Sequence, residues 1–298
     1  MQGTATMSEL AYVNGSFMPL AEARVGVEDR GVLFADSVYE VVLIASRKLV
    51  DLDRHMARLQ RSVAELSFSP VETARVEWIL YRLVEESAVE DGMAYVQVSR
   101  GEAARILAPP QDLTPSILAY VRPLVLAGDV SAVRPLSVAT RHDFRWGRCD
   151  IKTTALVAAI FARVEARRDG HDDVWFVDED LSVTEATAAN AWIVVQGDLL
   201  TREPGPKVLA GVTRDRVSAL ARNLGLAVVE RPFTLEEVRA ASEAFMTSAT
   251  ALITPIRAID DFGLSAPGPV TTRLYQAYVR FARAPDGGLT HSSRPAAG

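Results

Sequence analysis

The chain has 298 residues, of which 49% are hydrophobic and 23% are charged. This is the composition of a globular protein that is long enough for two subdomains. Its formal net charge is −6, without any block of five like charges, so we expect a small-molecule partner rather than a nucleic acid or an anionic membrane surface.

Localisation and metal content follow from what the sequence lacks. Residues 1–15 have neither the basic nor the apolar region of a secretory signal, and the longest apolar run, residues 155–162, is too short to span a bilayer. Cys149 is the single cysteine, so neither an intrachain disulfide nor a cysteine-rich zinc site can form. The four histidines recur at no metal-ligand spacing. We therefore expect a cytoplasmic protein that binds no metal.

The first half of the chain reads as strands with helices attached. "AYVNGSFMPL" predicts a hairpin around Asn14-Gly15, and "VYEVVLIASRKLVDLD" predicts a longer strand pair that turns near residues 46–48. Apolar residues at helical spacing predict helices over 52–66 and 71–90. "AYVQVSRG" and "SILAYVRPL" predict two further strands.

A segment of small residues, "VLAGDVSA", follows and suggests a domain boundary. We predict a small N-terminal α/β domain at residues 1–127 and a larger α/β domain at 128–284. In the second domain strands such as "LSVAT", "VWFV", "AWIVV" and "EAFMTS" alternate with helices over about 154–168, 214–224 and 270–282. The fold class is therefore α/β (α+β), and the polar, Pro/Gly-rich tail at 285–298 is predicted to be disordered.

Lysine usage narrows the search for an amine nucleophile. Only Lys48, Lys152 and Lys207 are lysines, and the other 29 of the 32 basic residues are arginines. A catalytic amine must be largely unprotonated, and desolvation is the usual way to lower a lysine pKa. Lys48 is predicted in a strand turn and Lys207 in a polar loop, both of which are hydrated positions.

Lys152 precedes the predicted helix over 154–168. The apolar residues Leu156, Ile160 and Val164 of this helix are expected to form a buried stripe. Such a stripe would place the amine of Lys152 in a partly dry pocket. The alternative is a lysine that only snorkels at the start of a helix, where its charge opposes the helix dipole. Local sequence leaves both interpretations open.

A second candidate group lies in "DEDLSVTEATAANAWIVV". Glu185 follows a hairpin-like turn and precedes the predicted strand over 191–195, so its carboxylate enters an apolar region. A buried carboxylate is costly unless it meets a cation. The alternative is a solvated glutamate at a loop edge.

Six segments, in order and spacing, carry a resemblance to a known family. They are "EDRGVLFADSVYEVV", "LDRHMARLQRS", "RWGRCDIK", "VTEATAANAWIV", "AGVTRD" and "FMTSATALITPI". Together they resemble the pyridoxal-phosphate enzymes of fold type IV, and their sequences are most similar to those of the D-amino-acid aminotransferases. The resemblance spans roughly residues 10–285 and implies a two-domain fold and the cofactor pyridoxal 5′-phosphate.

The resemblance implies roles for the two candidate groups. Lys152 resembles the lysine that binds the cofactor covalently, and Glu185 resembles the acid that faces its pyridine nitrogen. Such an acid keeps that nitrogen protonated, so that the ring can accept the electron pair released at the substrate Cα.

Three places resemble the family's phosphate contacts. Val212 and Thr213 precede the predicted helix near residue 214, where backbone N–H groups can bind an anion. Arg58 matches the family's phosphate arginine, although an arginine stripe with Arg54 and Arg61 can also be a solvated face. The loop Ser248-Ala249-Thr250 matches a further contact, but Ala249 stands where branched-chain enzymes have a threonine.

Four further residues are assigned by resemblance. Arg145 resembles an arginine near the cofactor acid, and Tyr39 a tyrosine at the active-site edge, although a strand tyrosine is often a core residue. Arg105 matches the arginine of an Arg-x-His pair that holds the substrate carboxylate, while Leu107 stands where the histidine would be. An arginine alone can bind a carboxylate through two hydrogen bonds, so the altered pair affects specificity rather than reaction type.

The resemblance implies a homodimeric transaminase that exchanges an amino group between a D-amino acid, such as D-alanine, and a 2-oxo acid with ping-pong kinetics. Alternatives on the same fold are a branched-chain or (R)-amine transaminase and an aminodeoxychorismate lyase. A catalytically idle α/β protein that binds a phosphate-bearing ligand is the alternative from another functional class.

Overall fold

The computed structural model describes residues 9–284, so the predicted tail at 285–298 lies outside the described residues. The chain divides into two compact units. Of the described residues, the first unit comprises 9–126 and 281–284, and the second comprises Ala127–Arg280. Each unit combines a sheet with helices, which confirms the predicted class. The domain limits at residues 127 and 284 stay a prediction.

The first unit contains a six-stranded sheet. Its strands are β1 (Leu10–Val13), β2 (Ser16–Pro19), β3 (Ser37–Ala45), β4 (Lys48–Leu49), β5 (Gly92–Ser99) and β6 (Ser116–Pro123), and its helices are α1 (Arg30–Phe34), α2 (Leu52–Glu65) and α3 (Thr73–Glu86). The strand order is β2-β1-β6-β5-β3-β4, with every pairing antiparallel. The helices α2 and α3 pack against this sheet through apolar side chains such as Leu59 and Ile79.

The predicted N-terminal hairpin is confirmed. Strands β1 and β2 pair around Asn14 and Gly15, whose φ angles are 44° and 108°. Both residues are therefore in the left-handed region that a tight two-residue hairpin turn requires, and Asn-Gly is the dipeptide that adopts it most readily.

The second unit contains a nine-stranded sheet. Its strands are β7 (Leu136–His142), β8 (Asp173–Val177), β9 (Val183–Ala186), β10 (Asn190–Val195), β11 (Asp198–Thr201), β12 (Val228–Glu230), β13 (Glu243–Ser248), β14 (Leu252–Ile259) and β15 (Phe262–Gly263). The order is β12-β11-β10-β13-β14-β7-β8-β9, and β15 pairs with β14. The pairs β7–β8, β7–β14 and β11–β12 are parallel and the others antiparallel. The remaining helices are α4 (Val157–Arg168), α5 (Val212–Asn223), α6 (Leu235–Arg239) and α7 (Pro269–Arg283).

The predicted buried stripe on α4 is wrong. Leu156, Ile160 and Val164 are exposed, with Ile160 at 58%. The helix instead buries Ala159, Ala162 and Ala166 against Ala139 of β7 and Val174 and Phe176 of β8. Because alanines let a helix approach a sheet closely, the small face turns inward and the large apolar face is left outside. The helix also begins at Val157, three residues later than predicted.

Other element boundaries differ by a few residues. Helix α3 ends at Glu86 rather than near residue 90, and α5 begins at Val212 rather than near Arg214. The sequence did not predict five elements, namely α1, α6, β9, β14 and β15. Four of them are short, and β14 is interrupted by a proline. No helix within residues 9–284 is long and apolar enough to cross a membrane.

Candidate functional site

The three lysines lie in different environments. Lys207 Nζ lies 2.6 Å from Oδ1 of Asp178, and this hydrogen bond raises the pKa of Lys207. Lys48 donates to the carbonyl of Ala284 at 3.0 Å. Lys152 is half-buried in the turn before α4, between the buried residues Ile151 and Thr153. Its partly dry position is therefore provided by its neighbours in the turn and not by a stripe on α4.

Glu185 is buried in β9 rather than solvated at a loop edge. Its Oε1 accepts a hydrogen bond from Nη1 of Arg145 at 2.5 Å. Its Oε2 accepts from the backbone N–H of Leu209 at 3.1 Å and from Nδ2 of Asn190 at 3.3 Å. Burial raises the pKa of Glu185, and the charge of Arg145 opposes that rise. The cation that the sequence required for this carboxylate is Arg145.

Arg145 connects Glu185 to a second carboxylate. Its Nε and Nη2 bind the two oxygens of Asp143 at 2.9 and 2.8 Å, and its guanidinium lies 4.6 Å from the ring centre of Phe176. Burial would lower the pKa of Arg145, but Asp143 and Glu185 raise it above its ordinary value, so the guanidinium stays charged. When both carboxylates are ionised, Asp143, Arg145 and Glu185 together carry one net negative charge.

The turn that carries Lys152 lies beside these three charged residues, Asp143, Arg145 and Glu185, which we call the ion chain. Burial raises the pKa of the Cys149 thiol to about 11, and the charges of Arg145 and Glu185 also act on it. Arg148 and Asp150 pair with each other within the same turn, with Nε 2.9 Å from Oδ1. The turn between β7 and α4 therefore brings Arg145 and the segment before Lys152 to Glu185.

Asn190 joins Glu185 to the start of α5. Its Nδ2 donates to the carbonyl of Leu209 at 3.0 Å as well as to Glu185. Gly211 is the N-cap of α5, and no side chain caps the helix there. Val212 and Thr213, both buried, are the first two residues of the helix, so backbone N–H groups of this turn have no intrahelical acceptor. This is an arrangement that suits an anion.

The loop Ser248-Ala249-Thr250 lies at the same end of the sheet. Ser248 ends β13, and the neighbouring Thr247 is directly opposite Asn190 in the pairing of β10 with β13. Ser248 and Ala249 are half-buried, while Thr250 is exposed. The hydroxyl of Ser248 accepts a hydrogen bond from the backbone N–H of Ala251 at 3.2 Å, so Ser248 helps to shape this loop. The second unit thus gathers Glu185, the start of α5 and residues 248–250 around Asn190.

Arg58 lies in the first unit, on α2. Its Nε and Nη2 bind the two oxygens of Glu40 at 2.8 and 2.7 Å, and Glu40 also lies 2.7 Å from Nδ1 of His55. Glu40 and His55 are buried and only a tenth of the Arg58 side chain is exposed, whereas Arg54 and Arg61 are exposed. The solvated-face alternative therefore holds for Arg54 and Arg61 but not for Arg58.

The predicted substrate residues also lie in the first unit. Tyr39 of β3 is half-buried and stacks on Tyr95 with ring centres 5.7 Å apart. Arg105 and Leu107 lie in the loop between β5 and β6, where both are exposed, Leu107 by 83%. Nη1 and Nη2 of the buried Arg30 donate to the carbonyls of Ile106 and Leu107 at 2.7 and 3.0 Å, which fixes this loop.

Sequence reasoning missed the residues that hold the predicted ones in place. Asp143, Asn190, Glu40 and Arg30 were not singled out, although Arg30 and Glu40 belong to "EDRGVLFADSVYEVV" and Asn190 to "VTEATAANAWIV". The sequence did contain a signal for Asp143. It lies two residues before Arg145, and in a short loop an aspartate and an arginine at this spacing can form an ion pair. Within residues 9–284, no group of three or more His, Cys, Asp or Glu side chains is arranged to hold a metal ion.

Comparison with known proteins bears on this site. The family described as Amino-transferase class IV matches residues 37–259, which is most of the chain. The D-alanine aminotransferase of Bacillus licheniformis is 36% identical over 270 residues, covering 89% of this chain and 94% of that protein. The D-alanine aminotransferase of Listeria monocytogenes serotype 4b is 33% identical over 272 residues, covering 90% and 94%.

A solved structure is also similar. The branched-chain amino acid aminotransferase of T.th., crystallised with pyridoxamine 5′-phosphate, superposes with a TM-score of 0.86 at 25% identity. The superposition covers 95% of this chain and 98% of that chain.

Proposed function

The chain belongs to the class IV aminotransferases and is a pyridoxal 5′-phosphate-dependent enzyme, and from this premise we propose that it transfers an amino group from a D-amino acid, such as D-alanine, to a 2-oxo acid. The choice of a D-amino acid is supported by the similarity to two D-alanine aminotransferases, each at least 33% identical over most of both chains. Arg105, a cation suited to a substrate carboxylate, supports an amino acid of either configuration over a simple amine.

The ion chain around Glu185 is the observation that carries the reaction type. Its single net negative charge, buried between Arg145 and Asn190, suits a protonated ring nitrogen. When bound, the cofactor supplies an electron-poor ring that accepts the electron pair released at the substrate Cα. The role of Glu185 is to hold the proton on that ring nitrogen.

Lys152 is the amine that binds the cofactor and moves the proton. With the cofactor bound, the free Nζ of Lys152 would take the proton from the substrate Cα as general base and then donate that same proton as general acid. The first 2-oxo acid leaves before the second one binds, so ping-pong kinetics are expected. Arg145 supports this chemistry by holding Glu185.

Separate elements supply the phosphate contacts. The uncapped first turn of α5, at Val212 and Thr213, offers backbone N–H groups, and Gly211 before it leaves room for the side chain of Asn190. Residues Ser248, Ala249 and Thr250 offer backbone and hydroxyl donors at the same sheet end. Arg58, whose guanidinium Glu40 orients, is the charged phosphate contact by resemblance to the family.

A second candidate function has its own support. Leu107 replaces a histidine that would bind a carboxylate, and the similar structure is a branched-chain amino acid aminotransferase. An apolar residue in the substrate loop suits an apolar substrate, as in a branched-chain or (R)-amine transaminase. We rank this second, because the sequence similarity to the D-alanine aminotransferases is higher. In either case Tyr39, Arg105 and Leu107 are the residues that contact the substrate.

Borohydride reduction of the enzyme tests the role of Lys152. Mass spectrometry of the digested protein should find the reduced cofactor on the peptide that contains Lys152, and Lys152→Ala should abolish both the label and the activity. Lys48→Ala and Lys207→Ala are matched controls that should retain both. A label on Lys48 or Lys207 contradicts the assignment.

Substrate class is tested with steady-state assays on D-alanine, L-leucine, (R)-1-phenylethylamine and aminodeoxychorismate. The highest kcat/KM is expected for D-alanine. Activity confined to L-leucine or to the amine would replace the first candidate by the second, and turnover of aminodeoxychorismate alone would indicate a lyase.

We also propose that the enzyme is a homodimer. The outward face of α4 carries Val157, Ile160 and Phe161, which are 77%, 58% and 54% exposed, and Phe144 and Trp146 are about half exposed. Phe144 and Phe161 have ring centres 6.3 Å apart, and exposed large apolar side chains of this kind are typical of an interface. A second copy of the chain is the occupant, in line with the implied dimer. A cytoplasmic location is proposed as well, because a single cysteine suits a reducing compartment.

A further inference from the structure

We propose that Asp143 is a positioning residue that offsets the charge of Arg145, so that Asp143, Arg145 and Glu185 together present one net negative charge to the cofactor's ring nitrogen. This inference rests on the proposed role of Glu185. It concerns a residue that lies outside the predicted site and is joined to Glu185 through Arg145 and through Thr184, the residue before Glu185.

The geometry makes Arg145 a shared cation. Two of its nitrogens, Nε and Nη2, bind Asp143 along one edge of the guanidinium, and the third, Nη1, binds Glu185. Two parallel hydrogen bonds are the strongest arrangement between arginine and a carboxylate. Arg145 is therefore paired first with Asp143, and its contact with Glu185 is a single bond.

Asp143 is itself fixed in place. Its Oδ2 accepts a hydrogen bond from Oγ1 of Thr184 at 2.8 Å, and its Oδ1 accepts from the backbone N–H of Arg145 at 3.2 Å. Burial would raise the pKa of Asp143, but the hydrogen bonds from Arg145 and Thr184 hold it below its ordinary value. Asp143 is therefore ionised at neutral pH, and its bond to Thr184 ties it to the strand that carries Glu185.

The net charge beside the ring nitrogen depends on Asp143. Without Asp143, Arg145 and Glu185 would form a neutral pair, and no net charge would face a protonated nitrogen. With Asp143 the three groups carry one negative charge. Two other titratable groups lie in the same turn. Cys149 stays neutral because burial raises its pKa to about 11, and Asp150, which acts on Cys149, is paired with Arg148. Neither of them compensates for Asp143.

The test is the protonation of the ring nitrogen in the loaded enzyme. The holoenzyme is prepared with ¹⁵N-labelled pyridoxal 5′-phosphate, and the ¹⁵N chemical shift is followed from acid to alkaline pH. In Asp143→Asn the pKa of the ring nitrogen should fall by about one unit or more, and the Kd for the cofactor should rise about tenfold or more. Asp150→Asn, an isosteric change in the same turn, should leave both values unchanged.

A double variant separates electrostatics from packing. Asp143→Asn combined with Arg145→Gln removes one charge of each sign and leaves Glu185 with its own. The ring-nitrogen pKa should then return toward that of the unaltered enzyme, although more side chains have been changed. A pKa that stays low in the double variant, or one that never falls in Asp143→Asn, overturns the inference.

Two further measurements keep the outcome unambiguous. If Asp143→Asn does not fold, Arg145→Gln alone should raise the ring-nitrogen pKa, because two carboxylates then face the ring without their cation, and an unchanged pKa overturns the inference. Glu185→Gln tests the proposed function separately, since it should abolish protonation of the ring nitrogen. If Glu185→Gln has no effect, the role of Glu185 fails, whereas an effect of Glu185→Gln without one of Asp143→Asn refutes only the role of Asp143.

Discussion

The side-chain amide of Asn190 occupies the space that a Cβ on Gly211 would need. An ideal Cβ built on Gly211 lies 2.0 Å from Oδ1 of Asn190, closer than any real contact. Gly211 is therefore required at the N-cap of α5 because of its neighbour, since its φ of −71° is one that any residue adopts. The same amide binds Glu185, so the position of the acid and the start of α5 depend on one side chain.

Gly211→Ala should weaken cofactor binding. The added methyl group must displace Asn190 or the first turn of α5, at a cost of about 1–3 kcal/mol typical of overpacking. We expect the Kd for pyridoxal 5′-phosphate, measured by fluorescence titration of the apoenzyme, to rise at least about tenfold.

Gly205→Ala is the matched control, because a Cβ there meets nothing within 4 Å. Adding Asn190→Ala to Gly211→Ala removes the clash and should recover part of the lost affinity, a non-additive result. Equal affinity in Gly211→Ala and the unaltered enzyme contradicts the steric argument.

Sequence patterns predicted those helices and strands that form because of residues within the segment itself. The Asn14-Gly15 hairpin and helix α2 follow from turn chemistry and from a regular apolar stripe, and both were found. The α4 stripe failed for a physical reason. Which face of a helix is buried depends on the shape of the opposing surface, and β7 and β8 accept alanines rather than the larger side chains of α4.

The same distinction applies to the candidate site. Lys152 and Glu185 stood out because a lysine in an arginine-rich chain and a carboxylate among apolar residues are chemically unusual. Asp143 and Asn190 act through partners that are distant in the chain, since Asp143 binds Thr184, 41 residues later, and Asn190 binds Leu209, 19 residues later. No local pattern encodes these two long-range contacts, and the one local signal was the two-residue spacing of Asp143 from Arg145.

Glu40→Gln should destabilise the enzyme. Glu40 is buried and binds Arg58 and His55, so the substitution removes the buried carboxylate charge that both side chains bind. Breaking a buried pair in this way typically costs about 3–5 kcal/mol. The free energy of unfolding, measured by urea denaturation at pH 7, should fall by an amount of this order. Glu22→Gln, at an exposed glutamate, is the control that should stay within about 0.5 kcal/mol.

Glu40 should also limit the stability of the folded enzyme at acid pH. Burial would raise its pKa, but Arg58 and His55 lower it to about 2 from an ordinary 4.5. Because the folded pKa is depressed, the stability that Glu40 provides is complete above about pH 4.5 and is lost as the pH falls towards 2. The unaltered enzyme should lose stability in this window, and Glu40→Gln should lack that part of the loss. Parallel pH profiles for the two proteins would exclude the pair as its source.

Arg30→Lys should impair substrate binding more than turnover. Arg30 binds Asp36 with Nε and holds the carbonyls of Ile106 and Leu107 with its other nitrogens, and a lysine cannot span three acceptors in this geometry. The loop of Arg105 should loosen, raising KM for D-alanine about tenfold with a smaller change in kcat. Arg24→Lys, at an exposed arginine, is the matched control. A fall in kcat at constant KM contradicts a role in loop position.

Ile160→Glu should dissociate the proposed homodimer. A charge placed in the outward apolar face of α4 must be desolvated when a second copy covers it, which is costly without a partner. Sedimentation velocity should then show the mass of one chain. Val27→Glu makes the same change at an exposed valine of the first unit and should leave the assembly intact. A dimer that survives Ile160→Glu places the interface elsewhere.

Leu107→His should increase activity on D-amino acids. The loop already presents Arg105, and a histidine two residues later would add a second donor for the substrate carboxylate. A hydrogen bond to a charged group contributes about 1.5–3 kcal/mol, so kcat/KM for D-alanine should rise about tenfold or more. Ile106→His is the matched control, because the adjacent residue lies outside the Arg-x-His spacing. A gain of the same size in Ile106→His would show that any nearby imidazole suffices, and no gain in Leu107→His would show that this loop does not bind the carboxylate. In that case the apolar Leu107 would be suited to a substrate side chain, which favours the second candidate function.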